Sequence, residues 1–150
     1  DRLEFNGSFT AVENKVIDLN HEGLENELKY KGKNYNLAIF ADFATSKTLT
    51  GQKQLRRPDT KYGLNLSKKF VNNDFGDFNL NYIHTGKHLD FDSANVVAKA
   101  TDILDINFSK DFNGSVWRLS VANVLNEKYE KPLTFNTEGR QFRISFKNKY

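Results

Sequence analysis

The residues that could do chemistry are few. His84 and His88 stand four apart with Asp90 and Asp92 following, donor types that hold zinc and related ions. On an extended backbone four residues span about 13 Å, too far for one ion unless the intervening loop folds back. Ser8, Asp18 and His21 supply the residue types of a nucleophilic triad, but no nucleophile elbow or oxyanion turn accompanies them. No Gly-rich phosphate cradle follows a strand and opens a helix. The chain has no Cys, which removes disulfides, thiolate metal sites and a cysteine nucleophile. The sequence therefore reads as no enzyme, with no metal and no cofactor in this chain.

Composition points to strands and to balanced charge. The 150 residues carry 22 basic and 19 acidic side chains, a net of +3, with no Lys/Arg run longer than two. That pattern gives no basic footprint for nucleic acid. Aromatics make up 13%, with 13 Phe and 6 Tyr against one Trp and no Met, a strand-rich mixture. No segment approaches the roughly 20 continuous apolar residues of a spanning helix. A negative mean hydropathy leaves a membrane barrel open, because half-apolar strands average out polar. Asp1, with neither Met nor a charged-then-apolar leader, reads as the start of a processed protein or of a piece of a longer one.

Eight stretches alternate with a period of two, and none holds a helical period as well. They run Arg2–Val12, Glu22–Tyr30, Tyr35–Phe43, Thr60–Phe70, Asp77–Thr85, Lys99–Lys110, Ser115–Val124 and Glu138–Tyr150. In the last, Phe142, Ile144 and Phe146 point one way and Arg143, Ser145 and Lys147 the other, so the strand lies between two different media. Those media are a soluble core and water, or lipid and a polar lumen.

The joins alternate in length. Lys31-Gly32-Lys33, Val71 to Gly76 and Asp111-Phe112-Asn113-Gly114 are tight turns rich in Asn, Asp and Gly. Glu13–His21, Ser46–Asp59, Gly86–Ala98 and Leu125–Thr137 are long for hairpins. In an up-and-down meander all short joins fall at one end and all long ones at the other. Outer-membrane barrels have this asymmetry, and soluble lipocalin-like barrels also have an open and a closed end. The chain is thus expected to form one domain, residues 1–150: an all-β, antiparallel, up-and-down transmembrane β-barrel segment of about eight strands.

Four local sequences resemble the TonB-dependent outer-membrane receptors, specifically the C-terminal part of their barrel of about 22 strands. Gly23-Leu24-Glu25-Asn26-Glu27-Leu28-Lys29-Tyr30 resembles that family's Gly-hydrophobic-Glu strand opening, and Leu55-Arg56-Arg57-Pro58-Asp59 its Arg-Pro strand entry. Val121 to Tyr129 resembles its Asn-Leu-Phe-Asp strand exit, with Val, Leu and Asn replacing the commoner Leu, Phe and Asp. Gly139-Arg140 before alternating aromatics resembles its closing strand. The run Tyr82 to Asp90 is similar to cobalamin receptors, and siderophore receptors share much of the pattern. The family's plug domain and TonB box lie outside the match, as do roughly two-thirds of the barrel strands.

The resemblance implies an outer-membrane location and uptake of a scarce chelate, a corrinoid or ferric siderophore. It also implies partners: membrane lipid and lipopolysaccharide, the remaining barrel strands and plug, and TonB through that plug. Substrate contact is expected in the external loops at His88, Asp90, Phe91, Tyr129, Phe135 and Asn136. Lys47, Lys53, Arg56 and Arg57 are expected to meet lipopolysaccharide, whose phosphates favour Arg. Phe142, Ile144 and Phe146 would close the barrel, with Tyr150 as a terminal aromatic insertion signal. Glu25, Glu27, Lys61, Lys69, Asp105, Arg118 and Arg143 would line the lumen. The alternatives are a self-contained eight-stranded outer-membrane barrel with a structural or adhesion role, and a soluble lipocalin-like carrier, which lacks its Gly-x-Trp opening strand.

Overall fold

A computed structural model describes residues 2–5, 12–15, 19–70, 76–91, 96–132 and 134–148. Alternation of apolar and polar residues, with turn residues between, builds an all-β, antiparallel structure. Its strands are β1 (Arg2–Phe5), β2 (Val12–Lys15), β3 (Leu19–Lys31), β4 (Tyr35–Thr48), β5 (Thr60–Phe70), β6 (Gly76–Thr85), β7 (His88–Phe91), β8 (Val96–Ala98), β9 (Thr101–Phe112), β10 (Ser115–Ala122) and β11 (Gln141–Asn148).

Seven of them form one meandering sheet in the order β11-β10-β9-β6-β5-β4-β3. The turn between β9 and β10 is Asn113-Gly114, with φ of 49° and 79°, the two-residue geometry whose twist matches its flanking strands. Short turns gather at one end of the sheet, the turn end. The described residues of the segments 49–59, 86–100 and 123–140 lie at the other, the loop end.

Two sequence expectations change. The single strand over Arg2–Val12 is replaced by two short strands, β1 and β2, paired Arg2↔Lys15 through Phe5↔Val12. An alternating run does not reveal where a chain folds back, because both arms of a hairpin keep the same period. Within the long join Gly86–Ala98 a second small hairpin forms, β7 on β8, outside the main sheet. The strand number is thus eleven among the described residues, not about eight. Among them β3 pairs only with β4 and β11 only with β10, so the sheet has two open edges and does not close into a barrel.

The register sorts the two faces. Tyr30, Leu37, Leu66, Leu80, Ile106, Val121 and Phe142 lie opposite one another in sequence across all seven strands, an unbroken apolar row. One residue along, on the other face, Lys31, Asn36, Ser67, Asn79, Asn107, Ser120 and Arg143 form an unbroken polar row. The polar face is concave: its residues line a groove of about 690 Å³ that crosses β4, β5, β6, β9 and β10 near the turn end.

Almost nothing is buried. Ala98 is the only buried hydrophobic side chain among the described residues, while Leu24, Leu28, Phe142, Ile144 and Phe146 are exposed. The chain exposes 11437 Å². A compact monomer of 17.3 kDa exposes roughly 7,800 Å². The excess fits a sheet over which, among the described residues, no second layer is packed on either face.

Candidate functional site

Two regions carry the polar and ionisable groups: the concave face and the loop end. Alternation along β3, β4, β5, β9, β10 and β11 places Glu25, Glu27, Lys61, Lys69, Asp105, Arg118 and Arg143 on the concave face. Asn79 on β6 bonds across to β5 through its amide nitrogen, which reaches the Ser67 hydroxyl at 3.0 Å and the Asn65 side-chain oxygen at 3.4 Å. One apolar island interrupts this face, where Phe40, Gly63, Ile83 and Ile103 lie in one row. Gly63 is required there: a Cβ would stand 2.6 Å from the Phe40 ring and 2.5 Å from the Tyr82 carbonyl oxygen. Lys61 extends over the same ring, 5.7 Å from its centre.

At the loop end the sequence-predicted residues separate into different settings. Asp90, on β7, is 2% exposed and pairs with the Arg56 guanidinium. The Arg56 amide also donates to the Leu89 carbonyl at 2.6 Å. Arg56 has a φ of 58°, a left-handed conformation held by these two contacts. Together they tie the segment after β4 to the β7–β8 hairpin. Lys53 pairs with Asp59 within its own segment and is bridged to Lys47, while Arg57 is exposed. His88 donates locally from Nδ1 to the Gly86 carbonyl at 3.2 Å. Phe91 pairs with Val96.

The segment 123–140 is ordered by its asparagines. Asn123 is buried with a φ of 49°; its amide nitrogen donates to the Glu127 carbonyl at 2.8 Å, and its side-chain oxygen accepts from the Glu127 N–H at 2.9 Å. Its own N–H donates to Asp105 at 2.8 Å, so a concave-face carboxylate ends β10. Asn126 accepts from the Arg140 N–H at 3.0 Å, and a Cβ on Gly139 would lie 2.7 Å from that asparagine oxygen. A Cβ there would push the asparagine side chain aside where the chain returns to the sheet. Tyr129 is half-buried and its carbonyl accepts from Thr137, while Phe135 is exposed and Asn136 is bridged to Glu130.

The residues of the metal and triad readings do not converge. His84 bonds Asp102 at 2.8 Å, His88 faces Gly86 and Asp90 faces Arg56; Asp92 lies outside the described residues. Among the described residues no three His, Asp or Glu side chains are grouped to hold an ion. Ser8 and Asp18 lie outside the described residues, and His21 bonds the Ser46 hydroxyl at 2.6 Å.

One constellation escaped the sequence reading. On the apolar face at the loop end, Asp102 accepts from the Tyr82 hydroxyl at 2.6 Å and bonds His84, and Tyr62 stacks on His84 with centroids 4.4 Å apart. Its signal was the row Asn26, Ala41, Tyr62, His84, Asp102, which becomes visible only once the register is known. At the turn end the same face carries Tyr30 stacked on Tyr35 and Trp117 against Phe146. Aromatic and amphipathic groups thus bracket the apolar rows at both ends. Phe142, Ile144 and Phe146 sit on this face, and Tyr150 lies outside the described residues.

Fold and site together define an open antiparallel sheet with one apolar and one polar face. No protein-family profile and no curated protein matches the chain.

Proposed function

We propose that this chain is a wall section of an outer-membrane β-barrel, of the TonB-dependent receptor kind, serving uptake of a scarce chelate such as a corrinoid or ferric siderophore. The observation that carries the reading is the seven-stranded sheet whose apolar face is uncovered and bracketed by aromatics while its polar face is concave. In water that apolar face is a liability; against lipid it is satisfied, with the hydrogen-bonding groups of the edges met by further strands. The strands β3, β4, β5, β6 and β9 run 10 to 14 residues, long enough to cross a bilayer tilted by about 45°, which takes about 9–11 residues. In this reading the loop end is external, and His88, Tyr129, Phe135 and Asn136 are the substrate-facing candidates. Lys47, Lys53 and Arg57 meet lipopolysaccharide, and Arg56 is engaged with Asp90.

The two open edges favour a section of a larger wall over a self-contained eight-stranded barrel, in which the first and last strands of the sheet would pair. The test is solution behaviour. The chain is expected to need detergent to stay dispersed, and a chain that is monodisperse in plain buffer overturns the membrane reading. Cyanocobalamin binding to a receptor containing these strands, unchanged on trimming 125–137, removes the corrinoid assignment from that loop.

A further inference from the structure

Charge is sorted along the concave face. Toward the loop end its ionisable groups are Glu25, Glu27 and Asp42, with Lys61 beside them in the ladder. Toward the turn end cations outnumber acids: Lys29, Lys31, Lys69, Arg118, Arg143 and Lys147 on the strands, with Lys33 in the first turn, against Asp77 and Asp111. The groove of about 690 Å³ lies in this basic half, within the roughly 300–1,000 Å³ range of small-molecule sites.

Lys33, Lys68, Lys69 and Arg118 line the groove with a single carboxylate, Asp77, and none of these four cations is held in an ion pair among the described residues. Lys69, Asp77, Ser109 and Arg118 are consecutive in the cross-strand ladder. The Lys69 and Arg118 backbones are therefore three strand spacings apart, about 14 Å along the sheet, a gap that two long side chains can share with one small anion. Between them the floor is amides and hydroxyls, Asn79 and Asn107 among them. Cations converging in a concave wall raise the local anion concentration, and a guanidinium grips phosphate or carboxylate in bidentate fashion. Amides that donate and accept suit hydroxyl groups.

We infer that this groove binds a small polyhydroxylated anion, the class of sugar phosphates and sugar acids. Calling the groove part of a membrane passage rests on the proposed function; the binding itself does not. The two fail separately, because a chain that proves soluble in buffer is titrated there instead of in micelles.

The test is calorimetric titration of the full chain, in lauryldimethylamine oxide micelles, with glucose 6-phosphate, gluconate and glucose. Saturable binding of either anion is expected, with glucose weaker by on the order of ten-fold or more, and the stronger of the two identifies phosphate or carboxylate. The double substitution Lys69→Gln/Arg118→Gln is expected to weaken anion binding by about the same factor while the strand circular dichroism is unchanged. Asp77→Asn removes the one opposing charge and is expected to tighten it, which keeps the test decisive if the double variant fails to fold. Lys87→Gln/Lys99→Gln, exposed lysines at the loop end, leaves it unchanged. Equal binding of glucose and its phosphate, full affinity in the double variant, weaker binding in Asp77→Asn, or no saturable binding overturns the assignment. Binding of a decaglutamate peptide with none of the sugar anions overturns it in favour of an acidic protein segment.

Discussion

Ile144 and Ser145 are neighbours on β11, both exposed and on opposite faces, Ile144 at 71%. Arginine at either position is a bland surface change if water covers both, within about 0.5 kcal/mol. If lipid covers the apolar face, the two diverge. Ile144 is the middle of the three outward residues of β11, between Phe142 and Phe146. An arginine near the middle of a barrel's lipid face costs about 2–4 kcal/mol, or roughly 30- to 900-fold in the equilibrium constant. Ile144→Arg is expected to show that loss, while Ser145→Arg, beside the cationic Arg143 and Lys147 on the concave face, stays within about 0.5 kcal/mol. The reporter is built in: Trp117, the sole tryptophan, is half exposed on the apolar face and packs on Phe146 with centroids 4.9 Å apart. Urea titration of the chain from phosphatidylcholine vesicles, followed by tryptophan emission, measures both variants. Equal effects within about 0.5 kcal/mol refute the two-media reasoning.

Three further changes probe the frame. Gly63→Val drives a side chain into the Phe40 ring and the Tyr82 carbonyl and is expected to cost about 1–3 kcal/mol in the same urea titration. Asn123→Ala removes both side-chain bonds to Glu127 and leaves a left-handed residue without support, a loss of about 1–3 kcal/mol. It should appear as faster amide exchange at Glu127 rather than in the central strands. Arg56→Ala withdraws a cation from the buried Asp90 carboxylate and is expected to loosen the loop end by about 1.5–3 kcal/mol. Limited proteolysis within residues 49–59 should then accelerate while the sheet resists; unchanged cleavage would show that the contact does not hold the segment.

The strands were legible because a period of two survives any context: Thr60–Phe70 is found unchanged, and Asp77–Thr85 gains only Gly76. Their ends were less so. Strands β3 and β4 continue to Leu19 and Thr48 through polar residues such as Ser46 and Lys47, since the backbone ladder needs no apolar side chains. The β7–β8 hairpin was missed because arms of four and three residues are too short to show a period. The partnership of Arg56 and Asp90 links positions 34 apart and has no local signal. Nor does the Tyr62–His84–Asp102 cluster, which exists only through the pairing of three strands.

The open edge along β3 has a consequence for how the molecule is made. Thirteen consecutive exposed residues offer one side of their backbone to any passing strand, the geometry that seeds edge-to-edge aggregation. Glu22, Glu25, Glu27, Lys29 and Lys31 punctuate that edge, and such charges slow indiscriminate pairing without forbidding a complementary neighbour. If the sheet is the wall section proposed above, strands are admitted at a guarded edge, and the main hazard lies in the interval before a neighbour arrives, when dilution and escort matter more than intrinsic stability.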